Sequence, residues 1–414
     1  MTSRTDPIPT GSLSSVDVTA PGFKADPFPF YARLRAEAPV LQVHVPRMGP
    51  AWLVTRYDDV SAVLKDDRLL KNQRDALTPE QLRKARTMPR MFAALERGLL
   101  GLDGADHDRL RALVHKAFTP RRIEQMREQI QLLADELLDA AERRGGAMDL
   151  IADYALPLPL TIIGRIIGVP ERDNRRFSTW STTLIGAASR RNPLGAVPSV
   201  LRFLRYLRTL IAERTERPRD DLISALAKAR DGDDRLTADE VLTMIVLLLT
   251  AGHETTVNLI GSGTLALLQH PDQLARLRDD PALRTPGIEE LVRYVVPAEQ
   301  ATQRYAREDV VIAGVPVPRG SLVMAVLASA NRDGNHFDDP DMLDVGRTAN
   351  RHLSFGQGIH YCLGASLSRL EGQIAIGTLL RRAPGLRLTV APDQLRWRGG
   401  FILRGLEALP VTLS

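Results

Sequence analysis

Residues 355–364 read FGQGIHYCLG and contain Cys362, the single cysteine of a 414-residue chain. Gly356, Gly358 and Gly364 let the backbone come close to something flat or bulky. An apolar helical pattern starts directly afterwards. The thiol therefore stands at a helix start, where free N–H groups and the helix dipole favour the thiolate. The residues alone leave three roles open: a small core side chain, a soft ligand, or a nucleophile paired with His352 or His360. One cysteine excludes an intrachain disulfide and fits a reducing, cytoplasmic setting.

Upstream, residues 237–271 read TADEVLTMIVLLLTAGHETTVNLIGSGTLALLQHP and open on a capping-box pair, Thr237 with Glu240. A helix of that length spans roughly 50 Å at ~1.5 Å per residue, enough to cross a whole domain. Its apolar middle is interrupted by AGHETT, which brings Glu254, Thr255 and Thr256 toward the interior. A buried carboxylate is costly unless it is paired or used.

The rest of residues 57–290 is mostly amphipathic helix pattern, as in RIEQMREQIQLLADELLDAAERR. Strand patterns are confined to LQVHV and AWLVT near the start, which read as a hairpin, and to VVIAGVPVPRGSLVMAV, LRLTV and RWRGGFILRGLEALPV near the end. The fold class expected is mainly α with a small β region. It forms one catalytic domain over residues 21–414, behind a flexible arm over residues 1–20 rich in Ser, Thr and Pro. The net charge of +5 is spread over scattered arginines with few aromatics, which argues against nucleic acid as a partner. The densest apolar run, MIVLLLTAG, is far short of a bilayer span, and no signal-peptide pattern opens the chain, so no membrane association is expected.

FGQGIHYCLG resembles the haem-binding signature F-G-x-G-x-H-x-C-x-G of the cytochrome P-450 family, with every fixed position filled. AGHETT resembles that family's oxygen-activation motif and EELVR its E-x-x-R motif, and the three occur in the family's order. The similarity extends from FYARLRAEAPV to GLEALPV and is nearest the soluble bacterial members. It implies the family's single-domain fold, with the long central helix lying over the haem.

Carried over by position, the resemblance makes Cys362 the proximal thiolate of a non-covalent haem b, since no C-x-x-C-H run offers covalent attachment. It places Phe355 and Gly364 beside the ligand loop, Ala251 with Gly252 over the distal face, and Glu254 with Thr255 as the acid and alcohol that deliver protons. His107 and Arg111, one turn apart in HDRLRALVHKAFTPR, together with Arg304 and His352, become the donors to the haem propionates. Glu290, Arg293 and Arg347 form the structural network behind the cysteine loop.

The function implied is monooxygenation, hydroxylation or epoxidation, of an apolar organic substrate of the polyketide, terpenoid, steroid or fatty acyl class. No G-x-G-x-x-G or iron–sulfur cysteine set is present, so electrons are expected from a ferredoxin fed by an NAD(P)H-ferredoxin reductase. Arg109, Lys116, Arg121 and Arg122 are candidates for an outward basic patch toward that partner. Alternatives are a peroxygenase driven by hydrogen peroxide and a non-catalytic haem-binding sensor or carrier. Substrate contacts are expected from Leu247, Thr250, Ala251, Ala298 and Ile402, and from residues 77–98 and 181–203.

Overall fold

The central helix sets the frame. In the computed structural model, which describes residues 13–46, 48–84, 98–117, 119–189, 194–231 and 234–414, this helix runs unbroken over 32 residues, Ala238–Gln269. Its capping box forms: the Glu240 N–H donates to Thr237 Oγ1 at 3.2 Å and the Thr237 N–H donates to Glu240 Oε2 at 2.7 Å. The helix is long and apolar enough for a membrane span, but most of that apolar surface is buried against other helices, as befits a core helix.

Helices Pro157–Ile167, Asn174–Ser189, Val197–Glu216, Arg284–Val295 and Ala365–Arg382 pack around it. Their apolar faces share one large core, built on side chains such as Ile163, Phe203, Leu259, Leu291 and Ile376. At Gly252 a Cβ would lie 3.3 Å from Ile163 Cδ1, so the glycine admits the neighbouring helix as well as keeping the site open.

The small β region lies to one side. A five-stranded sheet takes the order Val40–Val45, Gly49–Val54, Leu322–Ala325, Arg304–Ala306, Leu69–Leu70. Its first two strands are the expected antiparallel hairpin, and the third joins it in parallel. A second, smaller core fills the space beneath, with Leu53, Val323, Met324 and Leu353 fully buried or nearly so. The arm expected over residues 1–20 is shorter than its composition suggests. Leu13–Ser15 form a 3-10 turn against the first strand and Val18 is fully buried; residues 1–12 lie outside the described residues.

Glu290, Arg293 and Arg347 meet as expected. The Arg293 fork donates to both Glu290 oxygens, Nε at 2.7 Å and Nη2 at 2.8 Å, and Arg347 Nε approaches the same carboxylate at 3.2 Å. Glu290 and Arg293 are wholly buried. Arg293 also donates to the carbonyls of Asn331, Pro340 and Met342, so the pair fastens residues 331–350 to helix Arg284–Val295. Removing one partner of a buried pair leaves an uncompensated charge, which costs about 3–5 kcal/mol. Arg293→Ala should therefore lower the free energy of denaturant unfolding by that amount. Arg347→Ala, which leaves the Arg293 fork in place, should cost clearly less.

Candidate active site

Cys362 is presented by backbone geometry that only this glycine pattern permits. Gly356 and Gly358 both take positive φ, +69° and +71°, where a side chain would be strained. At Gly358 a Cβ would also lie 2.9 Å from the Leu64 carbonyl oxygen, so the loop is pressed against the end of helix Tyr57–Lys65. The turns bring the Cys362 N–H to the Phe355 carbonyl at 2.9 Å and leave the thiol just ahead of helix Ala365–Arg382.

Cys362 lines a cavity of about 470 Å³ that the middle of the central helix also lines, from Leu247 to Thr256. Burial raises the thiol pKa, while the Gly364 N–H, Arg111 and Arg369 pull it down. A thiolate here would be completed by a metal cation on the cavity side.

The expected residues divide into those the fold brings to this cavity and those it does not. Phe355, Gly364, Ala251, Thr250, Thr255, Leu247, Ala298 and Ile402 all line it, as do His107, Arg111 and Arg304. Arg111 Nη2 donates to the Tyr361 carbonyl at 2.7 Å, next to the cysteine. Arg304 is buried, which lowers its pKa to about 10, and its Nη2 donates to the Leu64 carbonyl at 3.2 Å. His107 is almost fully buried and its Nε2 has no hydrogen-bond partner.

His352 requires correction. Its Nε2 lies 3.1 Å from Glu289 Oε2 and it takes no part in the cavity wall. His360 stands there instead, its ring 4.5 Å from that of His107 and its buried Nε2 likewise without a hydrogen bond. Burial lowers the His360 pKa to about 4, partly offset by Asp103, so the ring is a neutral donor or acceptor at neutral pH. Two guanidiniums and two orphaned imidazole nitrogens thus surround a cavity floored by a thiol. That donor set fits the paired carboxylates and the metal of haem.

On the distal wall Thr255 Oγ1 donates back to the Ala251 carbonyl at 3.0 Å, and the helix continues through it without interruption. Glu254 does not line the cavity; its carboxylate turns aside to Arg398, 3.1 Å away. Burial raises the Glu254 pKa and Arg398 opposes the rise.

Sequence reasoning missed Glu371, which does line the cavity. Burial pushes its pKa up to about 8, and the Thr256 side chain is its hydrogen-bond partner. Its signal lay in LEGQIAIG, where an acid sits in an otherwise apolar helical run. Of the substrate segments, residues 85–97 and 190–193 lie outside the described residues, while Ile163, Ile166 and Ile167 add an apolar wall that was not anticipated.

The expected basic patch is also corrected. Arg109 is held by Glu240, near the start of the central helix, and Arg122 by Asp220 at 2.5 Å, while Lys116 and Arg121 are exposed.

A family model described as Cytochrome P-450 matches residues 198–281 and 285–392. The chain is 42% identical over 395 residues to the polyketide biosynthesis cytochrome P-450 PksS of Bacillus subtilis (strain 168), an alignment covering 95% of this chain and 97% of that relative. It is 43% identical over 412 residues to the cytochrome P-450 monooxygenase PikC of Streptomyces venezuelae, covering 99% of this chain and 96% of PikC. The crystal structure of the myxobacterial cytochrome P-450 CYP267B1 in complex with myristic acid superposes with a TM-score of 0.88 at 42% identity, covering 96% of this chain and 98% of that one. With its cysteine loop, central helix and this similarity along almost the whole length, the chain belongs to the cytochrome P-450 family of haem monooxygenases.

Proposed function

We propose that this protein binds haem b through the Cys362 thiolate and inserts one oxygen atom into an apolar organic substrate, with electrons supplied by a ferredoxin and its NAD(P)H-dependent reductase. The observation that carries the reading is that Cys362 and Thr255 line one and the same cavity. Bound haem supplies the activation of dioxygen, the thiolate feeding electron density to the iron. Arg111, Arg304, His107 and His360 would hold its propionates.

The protein's own residues do the rest. Leu247, Leu248, Ile163, Ile166, Ile167, Ala298 and Ile402 form an apolar wall that excludes water and orients a substrate by shape. The Thr255 hydroxyl offers a proton at the cavity surface, and the carboxyl of the adjacent Glu254, its pKa raised by partial burial against the opposing Arg398, replenishes it. Glu371, a neutral carboxyl at neutral pH on the other side of the central helix turn, is a second proton store joined through Thr256.

The names of PksS, of polyketide biosynthesis, and of CYP267B1, bound to myristic acid, support a polyketide or fatty acyl skeleton ahead of a terpenoid. Binding spectra with a macrolactone, myristic acid, a sesquiterpene and a steroid test this ranking. The polyketide-biosynthesis name of PksS supports a role in secondary metabolism. The ferredoxin would approach over Ile359 and Tyr361, exposed residues of the cysteine loop.

Three outcomes are expected. The reduced, carbon monoxide-bound protein shows the red-shifted Soret band of a thiolate-ligated haem and Cys362→His loses it; a Cys362→Ala protein that keeps the band would sink the assignment. His360→Ala and His107→Ala purify with less haem than wild type, read as Soret absorbance per protein, whereas His352→Ala retains its full complement. Thr255→Ala still binds substrate and consumes NAD(P)H, but releases oxygen mainly as peroxide, measured as product and peroxide per reductant.

A further inference from the structure

Glu254 is gripped from outside the central helix by a residue to which no role has yet been given. Arg398 Nη1 donates to Glu254 Oε1 at 3.1 Å, and Nη2 donates to Asn258 Oδ1 at 2.6 Å. The two acceptors are four residues apart and so share one helix face. A single planar guanidinium therefore spans one turn of the central helix, immediately beside Thr255. Asn258 is itself fixed, since its Nδ2 donates to the Pro297 carbonyl at 3.3 Å.

The segment that carries Arg398 folds back on itself. The Arg398 N–H donates to the Gly405 carbonyl at 2.9 Å, and bridge pairings join Trp397 to Leu406 and Leu403 to Ala298. Between these pairings lie Ile402 and Leu403, both in the cavity wall. Gly405 completes the arrangement: a Cβ there would fall 1.9 Å from Asn258 Oδ1 and 2.8 Å from Arg398 Nη2. Only glycine at this position leaves room for the amide and the guanidinium to meet.

The grip is well placed to matter. The Arg398 side chain is 36% exposed and that of Glu254 19%, so the pair runs from solvent inward to the helix turn that presents Thr255 to the cavity. An unheld glutamate samples several rotamers, and a misplaced acid transfers protons poorly.

We propose that Arg398 is a positioning residue for proton delivery, holding the Glu254 carboxyl at the Thr255 turn and tying it to the substrate wall at Ile402 and Leu403. This rests on the reading of Glu254 and Thr255 as the proton pair. A substrate that presses on Ile402 acts on the same short paired segment that aims the guanidinium, so occupancy of the wall and placement of the acid are linked.

The test uses the holoenzyme with ferredoxin and reductase and whichever of the macrolactone, myristic acid, sesquiterpene and steroid binds most tightly. Arg398→Gln, Arg398→Lys, Glu254→Gln and the double variant Arg398→Gln/Glu254→Gln are compared for product and peroxide per NAD(P)H. Arg398→Gln and Glu254→Gln should each lower product per reductant about fivefold, the equivalent of about 1 kcal/mol. The double variant should fall no further than Glu254→Gln alone, because both changes remove one function. Lysine, a point charge that reaches one acceptor but not both, should recover only part of the loss.

An independent readout is the infrared carboxyl band of Glu254, identified by its loss in Glu254→Gln. Arg398 is the charged group that opposes burial of this carboxyl. Its removal should move the titration of that band to higher pH, and lysine should restore much of the shift. Normal coupling in Arg398→Gln alongside a loss in Glu254→Gln would overturn the positioning role while leaving the proton pair standing. Normal coupling in Glu254→Gln itself would overturn the proton pair. Additive losses in the double variant, or an unmoved carboxyl band in Arg398→Gln, would show that Arg398 acts elsewhere.

Discussion

Glu290 is a carboxylate shut off from solvent that accepts hydrogen bonds from two guanidiniums, from the Asn350 amide at 3.1 Å and from the Asp344 N–H at 3.0 Å. Such a group is expensive to bury and becomes tolerable only when every lone pair is met. The donors come from its own helix and from residues 344–350, so the requirement for full satisfaction fixes the irregular chain that leads into the cysteine loop. Asn331 extends the hold, its Oδ1 accepting from the Leu353 N–H at 2.7 Å and its Nδ2 donating to Ser354 at 2.7 Å. The thiol stands where it does because the non-repetitive backbone before it has no alternative set of partners.

The same economy of polar groups governs the cavity. Arg111, Arg304, His107 and His360 line the same cavity as the sulfur, and the central helix contributes the hydroxyls of Thr250, Thr255 and Thr256 among apolar side chains. Burial leaves His360 neutral and Arg304 less basic than usual. These are strains that a doubly carboxylated ligand relieves. The carboxylic acids near the central helix are pushed the other way, toward their protonated forms, which suits groups that must give up protons rather than bind cations.

Much of this was legible in the chain. The cysteine loop could be read because its constraints are local: glycines at left-handed turns and a thiol before a helix occupy fixed positions. The central helix could be read from its capping box and apolar length. His352 was the expected donor, yet His360, the fixed histidine of the F-G-x-G-x-H-x-C-x-G signature, is the one in the cavity lining. Arg109 looked like a surface cation because its partner, Glu240, is 131 residues away. Glu371 drew no notice in the sequence, although it stands in the mostly apolar run LEGQIAIG, and its full burial shows it to be interior.

The cavity is assembled unequally. One part of its lining is drawn from a short stretch, Ser354–Gly364 with Leu367, Ser368 and Glu371 just behind, whereas its apolar residues are collected from many places scattered through the chain, among them Ile163–Ile167, Leu247–Ala251, Pro297–Thr302 and Ile402–Leu403. Substitutions in the wall can thus reshape what is accommodated one segment at a time, without disturbing the loop geometry that the chemistry requires. A chain built this way can diversify in substrate while its reaction stays constant: the variable and the invariant parts of the catalyst are encoded in different stretches of the gene.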